Sequence, residues 1–317
     1  MSSRKKKFIT INSLNKVNAG AVAEYQKELL KLVRQMISTY TKELLAMYKD
    51  NSTEIKEIRT AIDEDIADKY KKKMQQLDEV YQKYFEKYGQ QKAETMVNKV
   101  AINQHKNFMK EYAKIMFVLL NNADIKPEDK PFIQMMKTQF DPKNFMATPE
   151  GKKAFMKAFS LNVKPYNEIA ETIKKTTVTN NVELIKSIHQ QYHREVSQAL
   201  YDSIINGKPS QTVVEKLLQA GVKTKRRARL IARDQVHKTH EALHLQELKQ
   251  TGITKAKWVH IGGGKTDRKT HITATPYGLN GGIFDITKGM YDPAVKQFIK
   301  PGELPFCHCG CVAVAEI

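Results

Sequence analysis

Cys307, Cys309 and Cys311 are the protein's three cysteines, and they alternate in the stretch Cys307-His-Cys-Gly-Cys311. Alternate side chains of an extended chain share a face, so this spacing predicts three sulfurs on one side. Thiolates this close, with His271 or His308 nearby, could hold zinc tetrahedrally. The candidate ligand set is His271, Cys307 and Cys309. A buried, reduced cysteine edge with a packing role is the plainer alternative. A second constellation is His240-Glu-Ala-Leu-His244, which fits a zinc metalloprotease: two histidines one helical turn apart would bind the metal and Glu241 would serve as base. Against it, no further ligand in a helical context completes the set, and the histidines share their face with Arg229 and Arg233, whose charge opposes a dication. Gly262-Gly-Gly-Lys-Thr266 is reminiscent of a phosphate loop, but Val259 stands where the pattern needs its first glycine. An ordinary glycine turn, flanked by His260 and His271, is the better expectation.

The other chemistry is cationic. The 317 residues carry 53 Lys+Arg against 34 Asp+Glu, a formal charge of +19. The first fifty residues hold +6 of it and residues 201–250 hold +5. Lys223, Lys225, Arg226, Arg227 and Arg229 follow one another with no acid between them, and Arg233 comes one turn later. Such a surplus favours a polyanionic partner, most simply nucleic acid, and guanidinium forks suit phosphate oxygens. These six residues are the candidate DNA contacts. On a helical wheel, Arg226, Arg229, Arg233, His237, His240 and His244 share one side, with Ala228, Ile231, Ala232, Ala242 and Leu243 opposite. An ordinary solvated face would show the same pattern.

The elements that must position these groups read as follows. From about Val17 to Asn122 the chain reads as long helices, with breaks expected at Asn51-Ser-Thr and Tyr88-Gly89. Leu29, Leu30, Leu32, Val33, Met36 and Ile37 form one apolar stripe; Ile62, Ile66, Tyr70, Met74, Leu77 and Tyr81 form a cleaner one. Residues 126–149 are looser, and Thr148-Pro-Glu-Gly opens a short helix. A helix is expected over about Asn181–Ile205, another from Ser210 to about Ala220 closed by Gly221, and a longer one capped by Thr224 and running to about Gln250. Strands are expected at Lys255–Ile261, Ile283–Ile286 and Cys311–Ala315. Twelve of the fifteen glycines lie beyond residue 200, as turns between short strands require. The fold class is therefore α+β and predominantly helical: a long-helix region, 1–180, then a small α+β domain, 181–317. No stretch reaches the roughly 18–20 apolar residues of a membrane span, no signal-peptide core follows the basic start, and three clustered cysteines make no disulfide framework. A reducing compartment and no membrane partner are expected.

From about residue 180 onward the motifs also follow a familiar order. Asn181-Val-Glu-Leu-Ile-Lys-Ser-Ile188, Gly207-Lys-Pro-Ser and Arg227-Ala-Arg-Leu-Ile-Ala-Arg-Asp-Gln235 come first. Gly252-Ile, Lys257-Trp258, Arg268-Lys-Thr-His271, Asn280-Gly-Gly-Ile-Phe284, Pro301-Gly-Glu and Cys307-His-Cys309 follow. In order and spacing this resembles the Mu F-like phage head morphogenesis proteins, the minor head or minor capsid proteins of tailed phages. The resemblance implies a non-enzymatic virion protein at the portal vertex or head interior, passing through host cytoplasm during assembly. It also implies the portal protein, the major capsid or scaffolding protein and phage double-stranded DNA as partners, and a role in head assembly and DNA packaging. Toxin or ADP-ribosyltransferase domains appended in some relatives are not expected, since the resemblance runs to the last residues. Here Phe306-Cys-His-Cys replaces the family's Asn-Cys-Arg-Cys, and Cys311 lies outside the pattern.

Overall fold

A computed structural model describes residues 8–10, 17–50, 64–122, 166–205, 210–262 and 267–316. Four long helices dominate it: α1 (Ala19–Asp50), α2 (Glu64–Asn122), α3 (Tyr166–Ile205) and α4 (Ser210–Gln250). A short helix, α5 (Lys269–Ile272), and six strands complete the described elements: β1 (Phe8–Thr10), β2 (Lys255–Val259), β3 (Ile283–Asp285), β4 (Met290–Asp292), β5 (Gln297–Ile299) and β6 (Gly310–Glu316). The fold is predominantly helical α+β with a small antiparallel sheet after the helices. The basic start, the breaks at 51–53, the looser stretch 126–149 and the helix at 148–151 lie outside the described residues, as do Asn206-Gly207 and residues 263–266.

Packing divides the protein into two compact units, neither a single stretch of sequence. One comprises residues 19–97 and 175–235. Its described elements are all helices, and the expected stripes are in its core: Leu29, Val33 and Met36 of α1 and Tyr70, Met74, Leu77 and Tyr81 of α2 are buried. An aromatic layer sits among them, with Tyr40 edge-on to Tyr192 at a centroid distance of 5.4 Å.

The helices are longer than turn signals suggested, and the reason is the same in two places. Tyr88-Gly89 is no break; α2 runs straight through it. A Cβ on Gly89 would sit 2.9 Å from Ile185 Cγ2 of α3, so this glycine lets two helices approach rather than ending one. Gly221 likewise lies within α4, where an added Cβ would stand 3.2 Å from Ile37 Cδ1. Thr224, expected as an N-cap, instead donates its hydroxyl to the Ala220 carbonyl one turn back, at 2.7 Å. The helix expected from about Asn181 begins earlier, at Tyr166.

The second unit comprises residues 1–18, 98–174 and 236–317. Its four-stranded sheet has the order β1-β6-β2-β3, all neighbours antiparallel. β4 and β5 form a separate hairpin. In the central ladder Ala256 faces Ala313, Trp258 faces Cys311 and Val259 faces Gly310. Phe108, Ile115, Leu245, Leu248, Phe284 and Ile299 close the core over the sheet.

The Gly89 contact generates a test. Gly89→Ala is expected to forgo the roughly 1 kcal/mol helix-propensity gain and to lose about 1 kcal/mol net through overpacking, measured by urea denaturation. Ile185→Leu, which removes the offending Cγ2, should cost less in the Gly89→Ala background than in the wild type. Equal costs would refute the close-approach explanation.

Candidate metal centre

His271 is the hub of the cysteine stretch. It lies on α5 and is 2% exposed. The backbone of this element is fixed locally, with His271 N donating to Arg268 O at 2.9 Å and Leu279 N to Thr270 O at 2.8 Å. The ring then has different partners on its two nitrogens. Nε2 faces Asp292 Oδ2 at 3.1 Å. Nδ1 faces Cys307 Sγ at 3.4 Å and Cys309 Sγ at 3.5 Å. The ring also stands edge-on to Trp258, centroids 5.3 Å apart. His271, Cys307 and Cys309 thus bring one nitrogen and two sulfurs together within 4.8 Å, a group that could hold a metal ion.

His308, the other nearby histidine, turns away: its ring lies 4.7 Å from that of His237. His260 is the residue that sequence reasoning named only as a flank of the glycine turn. One ladder step beyond the Val259–Gly310 pair, its Nδ1 stands 3.5 Å from Cys309 Sγ, and Asp267 Oδ2 lies 3.4 Å from its Nε2. The histidines therefore share one arrangement, with Nδ1 toward sulfur and Nε2 toward a carboxylate. That is the pattern by which an outer carboxylate orients a metal-binding imidazole. With Zn–S of about 2.3 Å and Zn–N of about 2.05 Å, a tetrahedral N···S edge is about 3.5 Å. The three N···S separations above match it. The signal in the sequence was the pairing of His260 and His271 with a Cys-x-Cys, and it required the strand register to read.

The electrostatics favour a thiolate at Cys307. The Cys307 thiol is held down at about 4, first by the Cys309 thiol that donates to it and, against the opposing effect of burial, by His271. Cys309 is pushed far up by that same donation and by burial. Burial works against charge on His271, but the Cys307 thiolate and the Asp292 carboxylate outweigh it and raise the imidazole above its ordinary value.

The cysteines do not share one face. β6 begins only at Gly310, and Phe306 adopts a positive φ of 58° that turns the preceding chain. Cys307 and Cys309 meet His271, whereas Cys311 faces His244 Nδ1 at 3.8 Å.

The cationic stripe is shorter than the wheel suggested. Arg226 and Arg229 are exposed, and Lys225 and Arg233 are half-buried. Lys223 is exposed with its Nζ 3.8 Å from Glu195 Oε2. Arg227 is directed at α3, donating from Nη2 to Ser187 Oγ at 2.9 Å. His240 and His244 are buried, while Ala242 is exposed. The buried face of α4 changes along its length because its first part packs in the helical unit and its last part in the sheet-bearing unit. A single wheel over the whole helix hides that change. The His240-Glu-Ala-Leu-His244 motif is enclosed: His240, Glu241 and His244 are 3%, 1% and 0% exposed. A catalytic zinc needs an open position for substrate, which these three side chains do not offer. Among the described residues no helix is long and apolar enough to cross a membrane.

Asp292 gives this centre a stability test. Its side chain is 0% exposed, and its Oδ1 accepts from Ala294 N at 2.9 Å. Asp292→Ala strips His271 of its partner and is expected to cost about 3 kcal/mol in urea unfolding. Asp292→Asn keeps the turn and should cost less. A loss under about 0.5 kcal/mol for the alanine variant, the range of an ordinary surface change, would contradict the pairing.

No known protein family matches the chain, and no solved structure does. A protein of Haemophilus influenzae described as uncharacterized is 33% identical over 90 residues, 28% of this chain. The match spans 20% of that protein's own length.

Proposed function

We propose that the protein is a minor head protein of a tailed phage, acting by assembly and contact rather than catalysis. The support is that several of the later motif residues carrying the resemblance to the Mu F-like proteins, from Trp258 to Cys309, gather around the His271 centre. Trp258, His271, Cys307 and Cys309 lie in one core. Asn280 Oδ1 accepts from His260 N at 3.1 Å, and Gly281, at a φ of 81°, donates its N–H to Trp258 O at 2.9 Å. Arg268 donates from both terminal guanidinium nitrogens to Pro305 O at 3.2 Å, next to the cysteine stretch. A set of distant motifs that converges on one point is a unit rather than a coincidence of composition.

In this reading zinc is the metal, held by His271, Cys307 and Cys309 with His260 as fourth ligand. Four protein donors would leave no open position, so the ion would staple the fold rather than activate water. Attachment to portal, capsid or scaffolding protein is assigned to residues 1–180 and head morphogenesis to residues 181–317, a division of roles along the sequence that does not coincide with the two packing units. Phage double-stranded DNA meets the protein at Lys223, Lys225, Arg226, Arg229 and Arg233, with Arg227 supporting the helix from within. The protein works in the head interior or at the portal vertex, after synthesis in the host cytoplasm.

Particles purified on a density gradient from a phage-producing culture test this directly. The protein is expected in the particle fraction at a few copies per portal. Its absence from particles that contain portal would overturn the reading. Within it, Arg226→Glu/Arg229→Glu should weaken DNA binding in a gel shift and flatten the slope of log K against log salt by roughly 2, about 0.9 for each phosphate no longer neutralised. An unchanged slope would remove these arginines from the interface.

A further inference from the structure

A second group of ligand-type side chains lies in the same unit, outside the His271 centre. We propose that Cys311 Sγ, His244 Nδ1 and Glu241 Oε2 form a second metal site, taking a borderline divalent cation such as zinc or cobalt(II). One ligand atom from each of Cys311, His244 and Glu241 lies within 4.8 Å of the other two. His244 Nδ1 stands 3.8 Å from Cys311 Sγ and 3.9 Å from Glu241 Oε2. The corresponding edges around a tetrahedral zinc are about 3.5 and 3.4 Å, so a bound ion would draw His244 closer to each of these two partners by a few tenths of an ångström.

Two observations point to a cation rather than to packing. First, His244 repeats the arrangement of His271: Nε2 faces a carboxylate, Glu111 Oε2 at 2.9 Å, and Nδ1 faces sulfur. Second, Glu241 is 1% exposed and its Oε2 has no hydrogen-bond partner; Glu111 Oε1, on a side chain 3% exposed, has none either. A buried carboxylate oxygen without a partner is costly, and a metal ion is the ligand that would satisfy it. The surroundings are also closely fitted to the Glu241 side chain. A Cβ on Gly310 would stand 3.1 Å from Glu241 Oε1, and one on Gly302, at a φ of 75°, would stand 3.1 Å from Glu241 Cβ. The mixture of thiolate, imidazole and carboxylate selects zinc-like ions over calcium or magnesium. The site would tie α4, α2 and β6 together, and because every ligand is buried the ion would enter as the unit folds.

Cobalt(II) titration of the chelator-treated full-length protein decides the matter, because thiolate ligation gives a near-ultraviolet charge-transfer band. The wild type is expected to take up two equivalents. Cys311→Ser should take up one, and so should Glu241→Gln, which leaves every sulfur in place. Cys307→Ser/Cys309→Ser should retain one equivalent and a thiolate band that vanishes when Cys311→Ser is added. Far-ultraviolet circular dichroism establishes that each variant is folded, and the single variants decide if the double one is not. Uptake and spectra unchanged in both Cys311→Ser and Glu241→Gln would overturn the proposal, whatever happens at Cys307 and Cys309. Loss on Cys311→Ser with no effect of Cys307→Ser/Cys309→Ser would instead leave this site standing and remove the first.

Discussion

The β2–β6 ladder is the constraint on which the sheet-bearing unit depends. Its register sets Trp258 against Cys311 and Val259 against Gly310. With that fixed, His260 comes beside Cys309, and the Cys307–Cys309 segment comes beneath His271. A slip by one residue would send every inward side chain outward, and both cysteine clusters would be lost together. The register is guarded by burial on both strands: Ala256, Trp258 and Ala313 are 0% exposed and Cys311 is 1% exposed. Removing a buried tryptophan costs roughly 3–5 kcal/mol, so Trp258 contributes as much to holding the register as any polar contact at the site.

Carboxylates form the outer layer of this arrangement. Asp292 holds His271, Asp267 faces His260 and Glu111 holds His244, in each case at Nε2. All three imidazoles therefore turn Nδ1 toward a cysteine. The choice of nitrogen is imposed by elements distant in sequence: α2 supplies Glu111 and β4 supplies Asp292. A histidine that looks isolated in the sequence acquires its tautomer and direction from such partners.

Much of the fold was legible in the sequence because it rests on local patterns. The stripe from Tyr70 to Tyr81 announces itself by period, and the strand expected over Lys255–Ile261 is found at Lys255–Val259, two residues shorter. Gly89, Gly221 and Thr224 misled because a glycine or threonine has the same letter whether it ends a helix or lets a neighbour approach; only Ile185, Ile37 and the Ala220 carbonyl distinguish the cases. At the site, His271, Cys307 and Cys309 were readable from residue type and spacing. His260 and the separation of Cys311 from the other cysteines were not, since both follow from ladder register and from the positive φ at Phe306. The burial of His240 and His244 likewise follows from a change of packing partner along α4, which no single helical wheel represents.

In the proposed centre, Cys307, Cys309, His271 and His260 hold one metal ion. An anomalous difference map collected at the zinc absorption edge from crystals of the protein tests it most directly. The expected result is a peak bonded to Cys307 Sγ, Cys309 Sγ, His271 Nδ1 and His260 Nδ1, at about 2.3 Å from sulfur and 2.0–2.1 Å from nitrogen. A map with no peak there, in crystals grown with zinc present and with both cysteines reduced, would contradict it.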